Sequence, residues 1–99
     1  MKLFIATCLK EYRKDVFKLF KEASMTVYSV TDITGIKEDN APDLLQDWFA
    51  SGDEKFDSIM IFCFTSEANA KAAKGLIAKY NEQNKTGFPV RSFIVPVEE

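Results

Sequence analysis

The chain contains no histidine, so acid–base chemistry near neutral pH would fall to a perturbed carboxylate, lysine or cysteine. No serine or cysteine stands beside an evident base, which argues against a nucleophilic enzyme. Two thiols, a run of carboxylates and one tryptophan remain as candidates for chemistry. Cys8 and Cys63, with Met60 nearby, could hold a soft ion such as Cu(I) if all three faced one cavity. The plainer reading is a pair of reduced core thiols, because each lies inside an apolar strand-like run and the pair has no metal-ligand spacing.

The carboxylates concentrate between Lys37 and Asp57, where Glu38, Asp39, Asp43, Asp47, Asp53, Glu54 and Asp57 stand against Lys37 and Lys55. Asp39, Asp43 and Asp47 recur every four residues, so on a helix they would line one face and could gather a hard cation through oxygen. The EF-hand spacing is absent. Asn40-Ala41-Pro42-Asp43 reads as a helix start, with proline near the first turn and Asp43 at the positive end of the macrodipole. Leu44, Leu45, Trp48 and Phe49 then form an apolar stripe that Gly52 ends. This predicts a short amphipathic helix carrying the chain's one tryptophan, the kind of aromatic anchor that dominates protein interfaces. The same stripe could instead dock on its own domain or on a neighbouring subunit.

The flanking sequence alternates between a period of two and a period of 3.6. Leu3–Leu9 is an apolar run of strand length. Tyr12, Val16, Leu19, Phe20 and Ala23 follow at helical spacing, with Lys14, Lys18 and Lys21 largely on the other side. Met25–Ile33 is a β-branched run, and 56–64 contains a third strand. Thr65 or Ser66 caps a second helix with an Ala73, Ile77, Tyr80 stripe, which runs to Asn81–Asn84 and stops before Gly87. Pro89 opens the last strand. The order βαββαβ predicts an α+β, ferredoxin-like fold: a four-stranded antiparallel sheet with two helices on one face and a long insertion between strands 2 and 3.

Composition sets the class. Ninety-nine residues at 46% hydrophobic content suit one small domain, 1–99, with a thin stability margin. Thirteen basic and fifteen acidic residues leave a net charge of −2, which argues against non-specific nucleic-acid binding. No apolar run is long enough to cross a bilayer and no signal-peptide pattern opens the chain, so a cytoplasmic, non-inserted protein is expected.

One inference from the pattern is stronger than these. A two-layer fold covers one sheet face with helices, yet both faces here are apolar. Leu3 and Ile5 point away from Phe4, Ala6 and Cys8; Ile59, Ile61 and Cys63 oppose Met60, Phe62 and Phe64; and Phe93, Val95 and Val97 oppose Ile94. The open face should therefore pack against other subunits, unless the inserted segment folds back over it.

Two stretches, Met25-Thr-Val-Tyr-Ser-Val-Thr-Asp-Ile-Thr-Gly35 and Ser92-Phe-Ile-Val-Pro-Val-Glu-Glu99, resemble the PII (nitrogen regulatory protein P-II) signalling family. The likeness extends loosely over nearly the whole chain and marks it as a divergent member. It implies a homotrimer packed through the sheet, a T-loop at 36–55 and an ATP or ADP site in the cleft between subunits. In the family the loop opens with a Gly-Phe-Gly-x-Gln-like stretch; here Gly35 remains, Lys37 replaces a glycine and Asp39 the glutamine. The family's phosphate-cradling B-loop is Thr-Gly-x-x-Gly-Asp-Gly-Lys-like. Thr86-Gly87 matches its opening, then Phe88-Pro-Val-Arg-Ser92 follows without the later glycines, and Pro89 has no N–H to offer. A basic tail expected after the last strand is not among the 99 residues. Lys37, Lys85 and Arg91 remain as phosphate partners, so ATP binding should be weak or lost. The modified loop tyrosine is missing too, since the tyrosines are Tyr12, Tyr28 and Tyr80.

Two functional classes follow. The first is a non-enzymatic PII-like regulator that binds another protein, a membrane transporter for instance, through Asp43, Leu44, Leu45, Trp48 and Phe49. The second is a small-ligand or metal-ion sensor, using Gly35, Lys37, Gly87 and Arg91 at the cleft or the acidic loop.

Overall fold

The computed structural model describes residues 1–36, 55–85 and 87–98. Four strands and two helices follow in the order β1 (Lys2–Leu9), α1 (Arg13–Glu22), β2 (Ser29–Ile36), β3 (Lys55–Thr65), α2 (Glu67–Gln83) and β4 (Arg91–Pro96), with a 3₁₀ turn at Lys10–Tyr12 leading into α1. The sheet order is β2-β3-β1-β4, every neighbour antiparallel, which is the ferredoxin-like arrangement.

The core lies between the sheet and the helices. Phe4, Ala6 and Cys8 of β1 and Ile59, Ile61 and Cys63 of β3 face the helices and are buried, as the alternation requires. Val16 and Phe20 of α1 and Ala70, Ala73 and Ile77 of α2 close over them. Phe4 meets Phe20 edge-on at 5.6 Å and 70°, a favourable ring geometry. The helices are tied together at the top, where the Tyr80 hydroxyl donates to Asp15 Oδ2 at 2.8 Å. Burial, then the hydrogen bond and charge of Asp15, push this phenol up to about 12.

Two of the helix ends have an identifiable stop. Ser66 caps α2 by accepting the Asn69 N–H at 3.1 Å. At the end of α1, Ser24 N–H donates to Lys21 O and Met25 N–H to Phe20 O, the paired bonds of a Schellman turn. Ser24 holds φ 63°, a left-handed conformation in which glycine would be at ease. That turn explains why β2 starts four residues later than the β-branched run predicts. Met25 is still part of the helix stop and buries its side chain in the core. Tyr28 then leans into the helix layer against Phe17 and Phe20, at 5.4 and 5.2 Å, so regular pairing begins at Ser29 opposite Phe62.

β4 is an edge strand, and α2 closes much of its free edge. Asn81 acts as a substitute strand residue: its Nδ2 donates to Val90 O and its Oδ1 accepts the Val90 N–H, both at 2.8 Å. Lys74 Nζ donates to Ser92 O at 2.8 Å. An edge so occupied cannot recruit a foreign strand at these positions. Asn81→Ala should leave Val90, 3% exposed, with two unmade backbone bonds, and lower unfolding stability by about 1–3 kcal/mol in urea denaturation.

Candidate functional site

Three regions carry the residues singled out in the sequence. The first is the hairpin of β2 and β3. The two strands pair from Ser29↔Phe62 to Ile36↔Lys55, with Gly35 opposite Phe56. Residues 36 and 55 are therefore held side by side, and the chain leaves and rejoins the sheet at one point. Lys37, Asp43, Leu44, Leu45, Trp48 and Phe49, together with Asp39 and Asp47, lie outside the described residues.

The second region is the approach to β4. Gly87 has φ 84°, and a Cβ built there would meet nothing within 4 Å; glycine is needed for its backbone conformation, while the space beside it is open. Further along, Pro89 lacks an N–H and the Val90 N–H is already held by Asn81. A phosphate nest needs successive N–H groups free to point at one spot. Two adjacent residues of this loop, Pro89 and Val90, cannot supply them.

Arg91 pairs with Thr7 across the sheet and lies on the open face. It is half-buried, and its Nε is shielded from water with no hydrogen-bond partner among the described residues. Ser58, 4% exposed on β3, has its Oγ in the same condition on the same face. Buried unpaired donors are costly and mark places where a partner group is wanted. The sequence reading did not single out Ser58. The signal available was its polarity at a position of β3 where the open-face alternation Met60, Phe62, Phe64 would continue apolar.

Gly35 and Arg91 are not brought together within one protomer. Gly35 sits on β2 and Arg91 on β4, the two opposite edges of the sheet, about 14 Å apart by strand spacing alone. A small ligand touching both would have to reach across the whole sheet or sit between two copies of the chain.

The third region contains the sulfur atoms. Cys8 and Cys63 both face the helices, but Cys8 pairs with Ile59 and Cys63 with Phe4, which separates them by four residues of β1, about 13 Å. Met60 points to the opposite face of the sheet from both. A soft-metal site made from these three sulfurs is thus ruled out by strand alternation, and the thiols are core residues. Among the described residues no group of three or more His, Cys, Asp or Glu side chains comes together.

No family model matches the sequence, and neither does any curated protein. Among solved structures the chain is similar to CPII, a nitrogen regulatory PII-like protein from Thiomonas intermedia K12, bound to ADP, AMP and bicarbonate. The two superpose over 99% of this chain and 92% of that one, with a TM-score of 0.65 and 13% sequence identity. At that identity the likeness is one of fold, and it extends across the whole architecture.

Burial pushes the Cys8 thiol from 9.0 up to about 12 and raises Cys63 as well. A raised thiol pKa means that the folded state favours the neutral form. This contribution to stability is complete below pH 9 and is lost as pH climbs from there towards 12. Cys8 should resist iodoacetamide at pH 8.5 in the native protein and react only once the chain is unfolded in urea, as read by mass spectrometry.

Proposed function

We propose that the chain is a non-enzymatic, PII-like regulator that acts by protein–protein contact through residues 36–55, with a membrane transporter as its target class. The observation that carries this reading is the β2–β3 hairpin, whose pairing up to Ile36↔Lys55 presents an acidic, aromatic-bearing segment from one fixed point of a rigid sheet. The open face supports assembly into a trimer. Leu3, Ile5, Phe62 and Phe93 are only partly covered there, and Phe64 and Val95 remain 57% and 39% exposed. Three copies would present three such segments in fixed geometry, and a symmetric target would gain avidity from engaging them together. No helix among the described residues is long and apolar enough to cross a membrane, so a transporter would be met at its aqueous face.

Trp48→Ala separates scaffold from reader. By light scattering the variant should keep a mass of about 34 kDa, three times 11.2 kDa. A photo-crosslinker placed beside position 48 should form a discrete adduct with an integral membrane protein, and Trp48→Ala should abolish affinity capture of that same protein. Capture unchanged by the substitution would remove the 36–55 segment from the reading, and a mass near 11 kDa would remove the trimer.

A second reading is favoured by the unpartnered Arg91 Nε: a small-ligand sensor, in which Arg91 meets an anionic effector in the cleft between protomers, near Gly35 and Gly87 of adjacent copies. Lys37, also assigned to this cleft, lies outside the described residues. Pro89 and the engaged Val90 N–H argue against a tight phosphate cradle, so calorimetric titration with ATP and Mg²⁺, or with ADP, should give dissociation constants in the millimolar range, about −4 kcal/mol. Micromolar binding that is lost in Arg91→Ala without change of mass would establish a nucleotide sensor instead.

A further inference from the structure

Where the last turns of α1 approach the start of β2, the helix layer opens into a hollow that neither reading above uses. It holds about 370 Å³ and is lined by Phe17, Lys18, Lys21, Met25, Thr26 and Tyr28, a size within the usual range for small-ligand sites. Met25, 2% exposed, forms its floor. Phe17 and Tyr28 form its wall, with ring centroids 5.4 Å apart and planes inclined by 31°, so a flat apolar body has an aromatic surface to lie on.

Two of the lining residues are lysines. Lys18 and Lys21 are three residues apart and share one helix face. Both are exposed, and the ion pairs among the described residues belong to other lysines, Lys10 with Asp32 and Lys71 with Glu67. Lysines near a helix C-terminus usually attend its free carbonyls. Here the carbonyls of Leu19, Phe20 and Lys21 already accept from the N–H groups of Ala23, Met25 and Ser24. The Schellman turn thus engages these three carbonyls, and neither Lys18 nor Lys21 makes an ion pair or a side-chain hydrogen bond among the described residues.

The lining narrows the ligand class. A cation would be repelled by the two ammonium groups. A nucleotide would need several polar partners for base and ribose, and the neutral lining residues offer the hydroxyls of Thr26 and Tyr28 for that purpose. We propose that this hollow binds a flat apolar carboxylate, an aromatic or short acyl acid, with its body on Phe17, Met25 and Tyr28 and its carboxylate between Lys18 Nζ and Lys21 Nζ. The site lies towards the β2 edge, across the sheet from Gly87 and Arg91, so its occupancy does not depend on the readings above.

The test is an ¹H–¹⁵N titration of the full chain with 2-naphthoate and, separately, with its neutral counterpart 2-naphthylmethanol. The expected result is saturable shifts centred on Lys18, Lys21, Thr26 and Tyr28, with naphthoate binding more tightly than the alcohol. In Lys18→Gln/Lys21→Gln, a surface double variant, naphthoate should weaken about ten-fold while the alcohol is unaffected. Thr26→Trp, which fills the hollow from its exposed rim, should block both probes. Equal binding of acid and alcohol, shifts centred on the open sheet face, no shifts at millimolar naphthoate, or indifference to the lysine replacements would each overturn the proposal.

Discussion

The pairing of β1 with its two neighbours is the constraint on which the rest of the structure depends. β1 joins β3 along its whole length and β4 over six residues, so it fixes the relative position of both βαβ halves. Its apolar pattern alone would define that register poorly, because Leu3 and Ile5 are as fit for burial as Phe4, and a one-residue slip exchanges the faces. Size and polarity decide the matter. Ala6 and Cys8 are small enough to let α1 and α2 settle on the sheet, where Ala70 and Ala73 make a matching concession from α2. Phe4 fills the space that remains against Phe20. On the other face, Thr7 and its neighbour Arg91 belong to a part of the sheet that a helix would not cover well.

That choice leaves the protein with more apolar surface than two helices can hide. At about 25 cal/mol per Å², a sheet face bearing Leu3, Ile5, Phe62, Phe64, Phe93 and Val95 is a large reservoir of unused stabilisation for a chain of 99 residues. The edges of the sheet set how it can be used. Asn81 and Lys74 occupy the backbone of β4 at Val90 and Ser92, which favours face-to-face assembly over strand addition at those positions. Under the trimeric reading a neighbouring copy could bring together positions that lie on opposite edges of one chain.

Much of this was legible in the sequence because it rests on period and punctuation. The order of elements, the two-faced strands and the Ser66 cap all come from local patterns that tertiary contacts reinforce. The start of β2 was not legible. Met25-Thr26-Val27-Tyr28 has strong strand preference, but a Schellman turn with serine at its left-handed position carries no glycine signal, and Tyr28 gains more from Phe17 and Phe20 than from pairing. The site was less legible than the fold for a related reason. Arg91 could be named from its place after Gly87, but its lack of a partner, and that of Ser58, depends on which face each strand residue takes and on what lies opposite. The sulfur atoms show the converse: Cys63 and Met60, close in sequence, are divided by alternation between the two faces, and Cys8 shares the face of Cys63 but lies four residues along the strand from it.

The features near Gly87 belong together physically. A phosphate loop works because its backbone is idle: glycines keep side chains away and leave the N–H groups unengaged. Once Val90 binds Asn81, that backbone is employed in holding the edge of the sheet, and Pro89 removes a neighbouring donor outright. Replacing Pro89 by glycine would therefore return one N–H and still leave the Val90 N–H committed to the α2 clasp. A loop cannot both lock β4 to α2 through Val90 and offer that same N–H to a ligand. In this chain the backbone at Val90 serves the edge of the sheet, which leaves side chains, Arg91 foremost, as the means by which this end of the molecule could recognise an anion.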